Sequence, residues 1–227
     1  MATQAELEQV RRALNRLSQA AQGDLQAVWD QLKTSDRVQV SRALTEGWEW
    51  VLERYGNMAA TLAADFFEVE ARSLNLTPRV QMAAPFDGPR ANARLWWALS
   101  TPNQWGNVTV LLDELVKQPY RSTFQDSAHA SGGGWARVPT GAETCAFCRM
   151  LASRGAVYRS RETAGGGKRY HGRCDCTPTL VGRDGSGMPE GYNPDALYDQ
   201  YEAARAEAES GDPKKILAAM RAQAGTN

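Results

Sequence analysis

Five side chains that can act as soft or borderline metal donors fall within 32 residues of this 227-residue chain. They are Cys145, Cys148, His171, Cys174 and Cys176, and the chain has no other cysteine. The pattern is C-x2-C, a spacer of 22 residues, then H-x2-C-x-C. A C-x2-C pair at a tight turn or helix start can aim two sulfurs at one point. A second knuckle can complete the tetrahedron that Zn2+ prefers. The spacing favours Cys145, Cys148, His171 and Cys174 as ligands. Cys176 is a reserve, because two residues as close as Cys174 and Cys176 reach one ion only through a sharp kink. Two plainer readings stand beside the metal: a disulfide set in an oxidising compartment, and buried, inert thiols.

A catalytic ion would need an open coordination position and a nearby acid or base. Zinc deaminases pair a comparable C-x-x-C with an upstream H-x-E. Here the upstream histidine, His129, is followed by Ala130 and Ser131, and reads as a solvated loop residue. There is no Walker loop and no G-x-S-x-G. A metal-dependent nuclease would have to draw on Glu143, Glu162 or Asp175, and no paired acidic signature calls for it. Arg154, Arg159, Arg161, Lys168, Arg169 and Arg173 decorate the cysteine-histidine stretch and are the candidates for contact with phosphate or a partner. Between Arg121 and Arg183, ten Lys/Arg face four Asp/Glu, whereas from Asp184 onward eight acids face four bases. A basic segment of this kind reads first as a solvated surface, with contact to DNA phosphates or an acidic portal surface as the functional alternative.

Helical segments must position this module. Leu7, Val10, Leu14 and Leu17, then Leu25, Val28, Trp29 and Leu32, recur at helical spacing and predict two helices with a break near Gly23. Arg11, Arg12 and Arg16 lie off that stripe, on a wet face. Thr34-Ser35-Asp36 is an N-cap cluster. From it Val40, Leu44, Trp48, Val51, Tyr55, Met58, Leu62, Phe66 and Val69 predict one long helix, bent at Gly47 or Gly56. Asn75 to Pro85 reads as a linker, and Asp87-Gly88-Pro89 opens a helix with Leu95, Trp96 and Leu99 facing in. Thr101-Pro102 predicts the cap and first residue of the next helix, whose stripe of Trp105, Val108, Leu111, Leu112 and Leu115 ends at Gln118-Pro119. Trp96, Trp97 and Trp105 read as core residues.

Tyr120 to Gly134 then reads as a loop, with Ser131 to Gly134 as a flexible hinge. Trp135 to Pro139 predicts a short strand, and Thr144 the cap of a short helix carrying Cys145, Phe147, Cys148 and Leu151. Ala156 to Tyr158 and Lys168 to Tyr170 read as hairpin arms around Gly165 to Gly167. After a Gly-rich linker at Gly182 to Gly191, Asn193-Pro194 and Asp212-Pro213 open two last helices, expected to pack back on the chain. The expected architecture is therefore mainly α. A helical bundle with one long helix spans 1–134, a small α+β zinc-knuckle-like module 135–183, and a linker with C-terminal helices 184–227.

The formal net charge is zero, from 26 basic and 26 acidic residues. That argues against a basic protein that coats nucleic acid along its whole length. No run of 18 apolar residues appears, so no membrane span is expected, and the N-terminal stretch lacks the apolar core of a secretory signal. A reducing cytoplasm is the expected setting, which favours metal over disulfide.

The stretch V-P-T-G-A-E-T-C-A-F-C-R-M-L-A-S-R-G-A-V-Y, followed by Y-H-G-R-C-D-C, resembles the MuF-like minor capsid proteins of tailed bacteriophages, in particular those of actinobacterial phages. The likeness covers roughly 136–181, about a fifth of the chain, and maps the family's Cys/His positions onto Cys145, Cys148, His171, Cys174 and Cys176. It implies a low-copy structural head component and no enzyme. It also implies an association with the portal, the major capsid protein and the head interior, made in the host cytoplasm and linked to DNA packaging or delivery. The expected cofactor is Zn2+. The expected partners are the portal or major capsid protein and, through the basic module, packaged DNA, with neither membrane nor small-molecule substrate.

Overall fold

The computed structural model describes residues 2–32, 37–141, 144–155, 170–182 and 185–225. Among these the chain is mainly helical: α1 (Gln4–Leu32), α2 (Arg37–Ser73), α3 (Gly88–Leu99), α4 (Gln104–Ala130), β1 (Gly134–Pro139), α5 (Ala146–Ala152), β2 (Cys176–Val181), α6 (Pro194–Ala208) and α7 (Pro213–Ala224). The expected class, a helical bundle with one long helix, a small Cys/His module and a helical tail, is what the chain adopts. The Thr34-Ser35-Asp36 cluster and the proposed hairpin arms lie wholly or almost wholly outside the described residues.

α1 opens with a capping box. Thr3 N–H donates to Glu6 Oε2 at 2.8 Å, and Glu6 N–H donates to Thr3 Oγ1 at 3.2 Å. The expected break at Gly23 does not occur. The buried face passes through Ser18, Ala21 and Leu25, small residues that a search for large apolar side chains skips. α2 also runs through its glycines. A side chain at Gly56 would press on Pro85 from the returning segment, so this glycine permits close approach. α2 ends in a Schellman turn, with Asn75 at φ 55° and Leu76 N–H on Ala71 O at 2.9 Å.

Two of the three tryptophans read as core are not. α3 buries Ala91, Leu95 and Ala98, which turns Trp96 and Trp97 outward at 40% and 67% exposure. Trp105 packs against the first core, its ring centroid 5.7 Å from that of Trp29. α4 starts later than expected, at Gln104 after Asn103. Thr101 instead donates its hydroxyl to Ala98 O at 2.6 Å, closing α3.

The largest departure lies at the far end of α4. Residues read as a loop from Tyr120 continue the helix to Ala130, through Pro119. Proline removes one helical hydrogen bond and crowds the preceding turn, a cost that tertiary burial offsets here. Tyr120, Phe124 and Ala128 enter a core with Phe67, Ala63, Trp135 and Leu180, and the Phe67 and Phe124 rings meet edge-on at 5.5 Å. Nor are Ser131 to Gly134 a hinge. Gly132 N–H bonds His129 O at 3.0 Å and Gly133 N–H bonds Ala128 O at 2.9 Å, a Schellman cap that leads straight into β1.

α4 carries three rows of residues four apart. One row is the apolar Tyr120, Phe124, Ala128. A second, Thr123, Ser127 and Ser131, continues onto the cap residue and accepts backbone N–H groups of Ala83, Gln81 and Arg79 at 3.0, 2.8 and 2.8 Å. Four helical residues rise about 6 Å, close to the advance of two extended residues, so alternate N–H groups of the 79–83 segment meet successive hydroxyls. The third row, Asp113, Lys117, Arg121 and Gln125, faces the cysteine-histidine knuckle.

β1 and β2 pair antiparallel, from Gly134 opposite Val181 to Pro139 opposite Cys176. The sequence reading foresaw β1 but not its partner. In the tail, Ala204 of α6 and Ile216 and Met220 of α7 pack on Ala146 of α5, so both helices fold back on the chain as expected.

Candidate metal centre

Cys145 ends its turn as the N-cap of α5, its sulfur accepting the N–H of Cys148 at 3.4 Å. Thr144, expected to be the cap, instead donates its hydroxyl to Asp175 Oδ2 at 2.9 Å. Cys148 sits one turn into α5, and both sulfurs look toward the second knuckle. That knuckle lies tight against α4, for a side chain at Gly172 would run into Val110. Arg173 adopts φ 62°, and its N–H donates to Asp113 Oδ2 at 2.7 Å. Asp175 pins the knuckle to the end of β1 by accepting Gly141 N–H at 3.0 Å, and Thr140 donates its hydroxyl to Asp175 O at 2.5 Å. Cys176 is the first residue of β2.

The five predicted donors converge. His171 Nε2 lies 3.2 Å from Cys145 Sγ and 3.5 Å from Cys148 Sγ. Cys148 and Cys174 sulfurs are 3.4 Å apart. A tetrahedral zinc ion with bonds of about 2.3 Å to sulfur and 2.0–2.1 Å to nitrogen separates its ligand atoms by roughly 3.5–3.8 Å, so these three contacts match its edges or fall slightly short of them. All four cysteines are free thiols, and 3.4 Å is far beyond the disulfide bond of about 2.05 Å.

The donors form two groups sharing Cys148, one with Cys145 and His171, the other with Cys174, Asp175 and Cys176, each within 4.8 Å of one another. Cys148 is therefore the hub, and the favoured set of Cys145, Cys148, His171 and Cys174 draws on both groups. Cys176, the reserve donor, lies within 4.8 Å of both Cys148 and Cys174 at the start of β2. Asp175 is occupied by Gly141 and Thr144, so it serves as a staple.

His171 Nδ1 lies 2.8 Å from Gly172 O. A carbonyl only accepts, which places the proton on Nδ1 and aims the Nε2 lone pair at the sulfurs, the tautomer a metal-ligating histidine needs. Thiols this close share protons. The Cys148 thiol and then His171 hold Cys145 down at about 4, and hydrogen bonds from Cys148 and Cys176, with Arg121 nearby, drive Cys174 toward thiolate. The neighbouring thiols of Cys145 and Cys174 drive Cys148 toward the protonated form. Facing the Cys145 thiolate, His171 is raised to about 9. A divalent ion competes for the sites these protons occupy.

Of the predicted basic contacts, Arg154 lines a groove of about 370 Å³ with Met150, Ser153, Tyr198 and Tyr201, and Arg173 is exposed on the knuckle. Arg159, Arg161, Lys168 and Arg169 lie outside the described residues, as do Glu143 and Glu162. The groups next to the sulfurs that sequence reasoning missed are Arg121, Arg137 and Tyr170. Arg121 and Arg137 are 1% and 3% exposed, and their guanidinium carbons lie 4.0 and 3.6 Å from the Tyr170 ring centroid. Burial opposes the Arg137 charge, yet Tyr170, Cys176 and Cys174 hold its pKa above the ordinary arginine value. A four-residue step from Lys117 to Arg121 to Gln125 was the available signal, hidden once Tyr120 was read as the start of a loop.

Residues 1–204 match the family model described as VG15 protein. The chain belongs to the VG15 protein family. Short segments of this VG15 family member resemble two gene 15 proteins. That of Mycobacterium phage D29 is 62% identical over 32 residues, 14% of this chain and 12% of the relative. That of Mycobacterium phage L5 is 58% identical over 40 residues, 14% of each. The aligned part thus spans about a seventh or less of the relatives' own lengths. No solved structure matches the chain. The family and these relatives make it a bacteriophage protein. No helix among the described residues is long and apolar enough to cross a membrane.

Proposed function

We propose that this phage protein is a structural minor capsid component of the MuF-like type, acting in head morphogenesis near the portal, with a structural zinc ion in its Cys/His knob. The observation that carries the reading is the gathering of Cys145 and His171 on one side of Cys148 and of Cys174 on the other, through contacts of 3.2, 3.5 and 3.4 Å, in a phage family member. The ion, when bound, supplies cross-linking energy to a segment with little apolar core. The residues around it hold rather than react: Asp175 is tied to backbone and hydroxyl donors, and the knuckle is clamped to α4. Helices on either side of the knob give it surfaces for the portal or capsid shell, and the partner contact belongs to this proposal.

The test is metal analysis of the purified chain beside Cys145→Ser and Cys176→Ser variants, with sedimentation alongside phage heads from infected cells. About one zinc per chain is expected, lost in Cys145→Ser and retained in Cys176→Ser, with the chain in the head fraction. A metal-free, fully folded chain with freely modifiable thiols removes the zinc centre. A chain absent from heads, or one that cleaves DNA with divalent metal, removes the structural role.

A further inference from the structure

Ionised side chains are buried only with compensation, because the loss of hydration costs several kcal/mol per ion. The α4 row meets this rule at Lys117, whose Nζ lies 2.6 Å from Asp113 Oδ1. One turn on, Arg121 has no such carboxylate among the described residues. Its Nη2 donates to the Cys174 carbonyl at 3.3 Å, and its buried Nη1 finds no hydrogen-bond partner among the described residues. Arg137 reaches the same place from β1, and both guanidinium carbons lie over the Tyr170 ring at 4.0 Å or less. An aromatic face attracts each cation, but two like charges sharing one ring repel. Arginine cannot relieve this by losing its proton. The sulfurs lie beside them: Cys148, Cys174 and Cys176 cluster with Tyr170, and Cys176 and Cys174 favour the Arg137 charge.

We propose that Arg121 and Arg137, gathered on Tyr170, are the buried counter-charges of an anionic, thiolate-rich metal centre, so that loading the ion and seating the knob on α4 are one event. This rests on the zinc reading above and adds the charge of the site. Three thiolates on a divalent ion leave one net negative charge and four leave two, whereas a site with two thiolates and two neutral ligands is uncharged and calls for no buried cation. The arrangement therefore selects a ligand set with at least three of the four cysteines. Tyr170 is held in register by Gln125, whose Nε2 donates to the phenolic oxygen at 3.2 Å. Arg121 and Arg137 are positioning residues: they touch the thiolate loop and not the ion.

The experiment titrates the full-length chain with Co2+ and then displaces it with Zn2+. It compares wild type with Arg121→Gln and Arg121→Lys. Both replacements keep a hydrogen-bond donor on the side chain, and only lysine keeps the charge. Arg121→Gln is expected to weaken metal binding about 10–100-fold, the range seen when groups supporting metal ligands are removed. It should also move the sulfur-to-cobalt charge-transfer band to longer wavelength, because thiolates without a nearby cation give up electron density more easily. Arg121→Lys is expected to recover most of both. Arg137→Gln repeats the comparison from β1 if Arg121→Gln does not fold. Equal binding and equal bands for the Gln and Lys variants would overturn the counter-charge role and leave the metal site standing. A wild-type chain that takes up neither cobalt nor zinc would instead overturn the metal reading itself.

Discussion

The helical body and the Cys/His knob are held by different physics, and α4 belongs to both. In the body, two clusters of buried apolar side chains, one around Trp48, Leu95 and Leu112 and one around Phe67, Phe124 and Leu180, do the work. In the knob, the described cluster has three buried cysteines, Tyr170 and little other apolar surface. On the proposed zinc reading, a segment this poor in core draws its stability from the ion's cross-links rather than from burial. The difference predicts that the two regions separate when the ion is removed. Chelation, or Cys148→Ser, is expected to abolish metal binding and open 144–155 and 170–176 to proteolysis while leaving most of the far-UV helical signal. Cys148 should be the most damaging of the cysteines, since it alone belongs to both donor groups. A single transition in which chelation melts the whole chain would erase the distinction.

How far the sequence was legible follows the same division. The five side chains that come together around Cys148 could be named from their spacing, because the metal chemistry proposed for them restricts residue type so strongly. Where α4 ended could not, since Pro119 and the polar run after it carry the local marks of a helix end, and only packing against Phe67 and Trp135 keeps the helix going. That one misreading hid all three rows at once, the core row of Tyr120, the hydroxyl row of Thr123 and the charged row of Arg121. Trp96 and Trp97 were misplaced for a related reason: they sit among leucines at helical spacing, whereas Ala91, Leu95 and Ala98 decide which side of α3 faces in. β2 was missed because Cys176 to Val181 borders the knuckle and was placed in the 135–183 module without an element of its own.

The second test sharpens the comparison from the body's side. Phe124 is fully buried between Phe67 and Tyr120. Phe124→Ala removes the ring and leaves a cavity, which costs about 3–5 kcal/mol at such sites. Denaturant unfolding of the metal-loaded chain measures it. If body and knob are separable, metal affinity stays near wild type in the native range. Loss of metal in step with the loss of stability would show that the knob depends on this core as well as on its ion.

The smallest effect expected concerns the seam where the body meets β2. Glu70 of α2 accepts the N–H of Leu180 at 3.2 Å through Oε2, while its buried Oε1 has no hydrogen-bond partner among the described residues. Burial raises its pKa from the ordinary 4.5 to about 8; Tyr120 packs nearby, its own phenol raised by burial and by Glu70. The folded chain therefore holds a proton that the unfolded chain releases. The stabilisation from that proton is full below about pH 4.5, declines as pH rises, and is gone above about pH 8. One proton of difference corresponds to about 1.4 kcal/mol per pH unit, so roughly 2 kcal/mol separates about pH 6 from about pH 7.5. Glu70→Gln keeps the acceptor for Leu180 without the titration, and is expected to flatten this part of the stability–pH curve and to be the more stable chain near pH 8. Parallel curves for the two proteins would mean that Glu70 stays ionised in the folded seam, and that the joint between body and sheet tolerates a buried charge as the knob does.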